Sequence, residues 1–218
     1  MRLRSLITLA MASLLALSLS NDAFAGKKSK GGDEAASDFT IEDVGVPKVD
    51  QFYDGVEGLV AKMRGAQEDM DNANNQLASA LGLAEGTPVS DALADLAEKA
   101  EGKVELALEG TKPTLTAADG CPENVQDAVT AANAMVDSLT AAIATLEGVA
   151  KEGAGMTDEA AAMPKAITDS SLGIKDKAVA TKTAAANLKT TKQLVEESKT
   201  LAGQCQESLE LIKSTFGG

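Results

Sequence analysis

The sequence predicts an all-α fold, an elongated antiparallel bundle of about four main helices with coiled-coil-like heptad packing. Apolar residues recur at alternating spacings of three and four over long stretches, which is the pattern of helices buried along one stripe. Aromatic residues make up only 2% of the chain, and alanine supplies much of the apolar content. Small side chains suit helices that approach one another closely. We find no strand-like alternation of any length and therefore expect no sheet.

The strongest helical pattern lies between Pro122 and Lys151, where four a positions and four d positions form a narrow apolar seam. We predict a helix over 122–152 that ends at Gly153 and Gly155. The other helices are expected to cover this seam. The a positions are Val129, Val136, Ile143 and Ala150, and the d positions are Val125, Ala132, Leu139 and Leu146.

Local signals place three further helices. Pro47 suits the first turn of a helix that Gly82 ends, and Thr87 precedes a second helix that begins at Pro88. The last helix shows a phase slip near Thr191, which shifts its seam without ending it. The predicted helices cover 47–81, 88–109 and 174–215, and together with 122–152 they form a helical domain over 47–218.

Residues 1–25 have the features of a cleaved signal peptide. Arg2 and Arg4 precede an apolar run from Leu6 to Leu19, and Ala23–Ala25 supplies the small-x-small pattern that signal peptidase requires. The run is too short to cross a bilayer comfortably. We expect cleavage near Ala25 and a periplasmic or secreted protein with no stable membrane anchor.

The residues after the cleavage site, 26–46, are small, polar and charged, and they predict a flexible leader. Apolar side chains first appear at Phe39 and Ile41, which we expect to hold the end of the leader against the bundle.

The charge balance excludes one class of partner. The formal net charge is -13, and cleavage after Ala25 removes two positive charges and one negative charge. A strongly acidic surface repels phosphate backbones, so we expect no nucleic-acid partner. The same surface disfavours binding to anionic lipid headgroups.

The two cysteines, Cys121 and Cys205, predict a disulfide because an exported chain normally oxidises such a pair. Their midpoint falls beside Pro164, so an antiparallel hairpin that turns there brings them level. A bridge closing so long a loop stabilises a fold by about 4 kcal/mol in the chain-entropy model. A redox-active pair is the alternative, but the cysteines lack a C-x-x-C arrangement.

The residues offer little chemistry for catalysis. The chain has no histidine, which removes the commonest general base and the usual transition-metal ligand. We therefore predict no enzymatic activity, no cofactor and no metal. The acidic cluster from Glu68 to Asn74 lacks the glycine and closing glutamate of a calcium loop. Met63 and Met70 suggest a copper(I) site, but both are a positions and core packing explains them.

These observations favour a non-enzymatic exported scaffold, adaptor or subunit of a bacterial envelope assembly that binds protein partners through helix surfaces. A periplasmic chaperone, or a carrier of lipid or another apolar ligand whose bundle opens, is the alternative. Whether a second copy pairs with the first stays open. Met156, Met163, Ile167 and Leu172 lie in a segment without a clear seam. They are candidate partner contacts, or else they close the end of the bundle.

Overall fold

The computed structural model describes residues 39–217. The predicted signal peptide and the leader up to residue 38 lie outside the described residues. The fold is mainly all-α, as predicted, with one small hairpin. Its elements are α1 (Pro47–Ala80), α2 (Val89–Ala100), β1 (Val104–Glu109), β2 (Lys112–Ala117), α3 (Glu123–Glu159), a 3-10 turn (Ala160–Ala162), α4 (Met163–Thr168) and α5 (Ile174–Phe216).

Helices α1 and α5 run in the same direction and touch along their length. The Tyr53 hydroxyl donates to the Ala184 carbonyl oxygen at 2.8 Å. Further along both helices, the Ser198 hydroxyl donates to the Met63 sulfur at 3.5 Å. The numbers of the paired residues rise together, which defines the parallel arrangement.

Helix α3 runs antiparallel to both of these helices. Towards its C-terminal end, Lys62 of α1 forms an ion pair with Glu152 at 3.0 Å. At the same level, α3 meets α5 where Gly153 faces Val195. Because α3 packs against both α1 and α5, it is the central helix, as the strength of its apolar pattern predicts.

The buried stripe of α3 is wider than predicted. All predicted a and d residues are buried except Ile143, which is partly buried. The neighbouring g positions are buried as well, because a helix between two partners covers two seams rather than one. These additional buried residues are Ala128, Met135, Ala142 and Val149.

The prediction that α3 stops at Gly153 and Gly155 is wrong, since the helix continues to Glu159. Gly153 is buried in the helix contact. A Cβ atom built on it would lie 2.8 Å from Val195 Cγ2 and 3.7 Å from Leu59 Cδ1. The glycine therefore permits a close approach of three helices instead of ending one of them.

The prediction of a helix over 88–109, and of no strand, is also wrong. Helix α2 ends at Ala100, and Glu101 and Gly102 follow with positive φ angles of 50° and 77°. The chain then forms an antiparallel hairpin in which Val104 pairs with Ala117. The residues that continue the helical spacing after Ala100 thus belong to β1.

Asn133 of α3 attaches this hairpin to the bundle. Its side-chain Nδ2 donates to the Leu115 carbonyl oxygen at 2.8 Å, and its Oδ1 accepts from the Leu115 N–H at 2.8 Å. A side-chain amide that bonds both backbone groups of one strand residue acts like an added strand. It satisfies an edge that would otherwise be unpaired.

The last residues of the predicted leader lie on the bundle. Phe39 is buried and Ile41 is partly buried. Asn187 of α5 holds this segment through the backbone of Glu42, with its Oδ1 accepting from the N–H at 3.1 Å and its Nδ2 donating to the carbonyl oxygen at 2.8 Å.

Replacing Asn187 with alanine is expected to lower the free energy of unfolding by about 1–2 kcal/mol, because it removes two hydrogen bonds at a buried site. Urea unfolding measures the loss, and hydrogen exchange of the Glu42 amide reports release of the segment. Exposed Asn72→Ala is the control. Unchanged protection of the Glu42 amide in the Asn187 variant would contradict this attachment.

By length and composition alone, the helical stretch Glu123–Thr168 is apolar enough to cross a membrane. In the structure, however, 44% of its most apolar window is buried inside the protein. The core helix of a bundle passes the same test of length and composition, so one such helix is weak evidence for a membrane span.

Candidate interaction surface

The two cysteines do not form the predicted disulfide. Both are buried free thiols. The Cys121 thiol donates to the Lys103 carbonyl oxygen at 3.5 Å, whereas the Cys205 sulfur lies 2.9 Å from the Met70 sulfur. The thiols therefore contact different parts of the molecule.

The register of α3 against α5 explains this correction. Gly153 faces Val195, and the helical path continues from α3 through the 3-10 turn and α4 to Thr168. The chain therefore reverses between Thr168 and Ile174 instead of near Pro164.

Cys205 lies ten residues after Val195 on α5, so it is level with Ile143, which lies ten residues before Gly153 on α3. Cys121 lies 22 residues before Ile143, which is roughly 30 Å along the helix axis at 1.5 Å per residue. The extension of α3 beyond Gly153 thus separates the cysteines.

Burial raises the pKa of the Cys205 thiol from 9.0 to about 11. The folded protein therefore favours the neutral thiol, and this contribution to stability is complete below pH 9. It is lost as the pH rises through the folded pKa. We expect the free energy of unfolding to fall more steeply between pH 9 and 11 in the wild type than in Cys205→Ala. Parallel slopes in urea titrations of the two proteins would contradict the shift.

The predicted partner contacts lie at the end of the bundle formed by α4. Met163 and Ile167 are buried, whereas Met156 and Leu172 are partly buried and pack against the core. The Met156 methyl carbon lies 3.0 Å from the position of a Cβ atom on Gly55. This burial fits the alternative that these residues close the bundle, and the exposed apolar residues of the region are different ones.

The first half of α5 carries a surface that sequence reasoning missed. We define the lysine face as the exposed residues Lys175, Lys182, Lys189 and Lys192. The first three are spaced by seven residues and therefore form one row. Along α5 there is no acidic residue between Lys177 and Glu196. Within residues 39–217, none of the four lysines of this face forms an ion pair.

Two exposed apolar side chains flank this row. Ile174 is 90% exposed and Val179 is 65% exposed. At 100° per residue they lie on opposite sides of the line through Lys175 and Lys182. An unpaired basic row between exposed apolar residues, on a chain with net charge -13, makes this face a candidate interaction surface.

An acidic counterpart lies on α2. We define the acidic stripe as the exposed residues Asp91 and Glu98 of α2 together with Glu101, which directly follows the helix. The opposite side of α2 is buried, and its partly exposed Asp95 already pairs with Lys99 at 2.7 Å. Charge on the acidic stripe is therefore left available to a partner.

The acidic stripe and the lysine face lie at opposite ends of the molecule. Helix α2 stays beside the C-terminal end of α1, where Asn74 Nδ2 donates to the Thr87 carbonyl oxygen at 2.9 Å. That end of α1 lies level with the second half of α5, since Met70 meets Cys205. The lysine face begins at the other end of α5.

The described residues hold no obvious site for a metal or a small ligand. Between 39 and 217 there is no group of three or more His, Cys, Asp or Glu residues that suits a metal ion. One shallow groove of about 410 Å³ lies between α3 and α5. Half of its lining residues are small and half are polar or charged: Ala150, Ala154, Ala202 and Gly203, and Glu147, Lys151, Lys199 and Gln206. It is open to solvent and would bury little of a small ligand.

Comparison with protein-family models, with curated proteins and with solved structures finds no match.

Proposed function

We propose that this protein is a non-enzymatic scaffold, adaptor or subunit of a bacterial envelope assembly, acting in the periplasm or outside the cell after cleavage near Ala25. The lysine face with its two exposed apolar neighbours carries this proposal, because unpaired charges and exposed apolar side chains gain contacts when a partner covers them. The absence of histidine from the sequence supports a role in binding instead of catalysis.

We also infer that the three long helices pack in a coiled-coil-like manner. The a and d rows of α3 are buried almost throughout, and Met63, Met70 and Leu77 of α1 repeat at seven-residue spacing within the core. Such packing makes a stiff rod, since α1 alone is about 50 Å long. A stiff rod suits a protein that holds partners at fixed positions.

A pull-down from solubilised bacterial envelope tests the proposal. The bait is the chain from residue 26 onward, and bound proteins and lipids are quantified by mass spectrometry. One protein recovered in near-equal amount is the expected result. Recovery should fall when Lys182 and Lys189 are both replaced by glutamate, and it should persist when Lys48 and Lys165 are replaced instead. A broad set of unfolded proteins, or lipid without protein, would overturn the proposal.

The second candidate function is a chaperone or a carrier of lipid or another apolar ligand whose bundle opens. One observation favours it: Asn187, Thr191 and Ser198 place polar side chains inside the bundle along α5. A polar interior buries less apolar area and so lowers the cost of separating α5. Suppression of the aggregation of unrelated unfolded proteins, at equimolar amounts, distinguishes this function from the scaffold.

A further inference from the structure

We propose that the lysine face binds the acidic stripe of a second copy of this chain, joining copies head to tail. The inference rests on the proposed scaffold role, and it names one of the partners that such a scaffold holds. The two surfaces have opposite charge, and each lies on an exposed helix face.

The spacing of the charges matches. Lys182 and Lys189 are seven residues apart on α5, and Asp91 and Glu98 are seven residues apart on α2. Each separation is about 10 Å along a helix axis. Two ion pairs therefore form at once when the helices lie side by side.

Small residues between the charges permit a close approach. Exposed Ala185 lies between Lys182 and Lys189, and exposed Ala94 lies between Asp91 and Glu98. Without bulky side chains in the centre, the helices can approach until the charged groups meet. Val179, three residues before Lys182, then gains cover at the edge of the contact, which adds an apolar contribution.

Repulsion within the free molecule also favours an acidic partner. Lys189 and Lys192 are three residues apart, a spacing at which like charges on a helix destabilise each other. Glu196, the acid four residues after Lys192, pairs with Lys199 at 3.1 Å. Acids from another copy supply the missing negative charge.

An anionic lipid surface fits this face less well. Helices that bind at a membrane interface bury a continuous apolar face and place lysines at its borders. On α5 the arrangement is reversed, because the lysines form the central row while Ile174 and Val179 lie at the borders.

The assembly that results is open-ended. A contact between two different patches is heterologous, and it produces chains of copies unless the rotation closes a ring. The lysine face and the acidic stripe lie at opposite ends of the molecule, so each copy can bind one neighbour at each end. We expect species that lengthen with protein concentration.

A charge-swap experiment tests the inference by sedimentation velocity of the purified chain from residue 26 onward. Lys182→Glu/Lys189→Glu and Asp91→Lys/Glu98→Lys are each expected to weaken association about tenfold or more, because like charges then face each other. An equimolar mixture of the two variants should associate again, since both of its contacts pair opposite charges.

Lys48→Glu/Lys165→Glu is the matched control, because it changes net charge equally at exposed positions outside α5. It should associate like the wild type, and circular dichroism confirms that every variant is folded. A wild type that stays monomeric at the highest attainable concentration would overturn the inference. So would equal loss in the control, failure of the mixture to associate, or lysine-dependent binding to phosphatidylglycerol vesicles by a monomer. In each of these cases the head-to-tail contact is ruled out. Recovery of a different protein in the pull-down would still support the proposed scaffold role.

Discussion

Replacing Leu146 with alanine is expected to lower the free energy of unfolding by about 2–5 kcal/mol. Leu146 is fully buried in the central helix α3, where the core reaches it from both α1 and α5. The substitution removes buried apolar area and leaves a cavity that two long helices cannot readily collapse to fill. Urea unfolding followed by circular dichroism measures the change.

Leu108→Ala is the control for this prediction. Leu108 is 58% exposed on β1, so the same truncation there should change stability by only about 0.5 kcal/mol. Equal losses at the two positions would show that Leu146 is not in a shared core, and would contradict the central position of α3.

Replacing Gly153 with valine is expected to cost about 1–3 kcal/mol, because the added side chain meets a stiff neighbour at close range. A Cβ atom at this position already lies 2.8 Å from Val195 Cγ2, so α3 and α5 must separate. Gly155→Val provides the control on the same helix. No atom lies within 4 Å of a Cβ there, and its stability should change little.

The double variant Gly153→Val/Val195→Ala tests the cause of that loss. If the clash with Val195 is responsible, shortening that side chain should recover part of the stability. The double variant should then lose less free energy of unfolding than the sum of the two single losses. A Gly153 variant as stable as the Gly155 variant would show instead that α3 and α5 do not approach closely at this level.

The long helices were predictable because their ends carry strong signals. Pro47 begins α1 and Gly82 follows its end, so the predicted and observed ends agree within a residue or so. The start of α5 directly after Gly173 is equally clear. Prediction failed at Gly153, because a glycine that ends a helix and a glycine that permits close packing look the same in one sequence.

The hairpin was missed for a related reason. Val104 and Ala107 continue the helical spacing of α2, and each strand has only six residues. Signals against a helix were present in Gly102, Gly110 and Pro113, but the segment has too few residues for its alternation to stand out. The hydrogen bonds between Asn133 and Leu115 join two separate elements, so no local sequence pattern predicts them.

The candidate surface was partly predictable. The run of lysines in α5 without an intervening acid is visible in the sequence as a charge pattern. Its exposure depends on which side of α5 faces the other helices, and that required the fold. Two of the residues chosen instead, Met163 and Ile167, belong to the short helix α4 and are buried in the core.

The measurement that tests the packing of α3 against α5 most directly is the state of the two native cysteines. The protein is purified from an oxidising compartment, unfolded without reductant, alkylated and analysed by mass spectrometry. We predict two alkylated thiols per chain, because Cys121 and Cys205 lie roughly 30 Å apart in this register. A peptide pair linked by a Cys121–Cys205 disulfide would contradict it, since that bridge requires α3 to end before Glu159 and the chain to turn near Pro164.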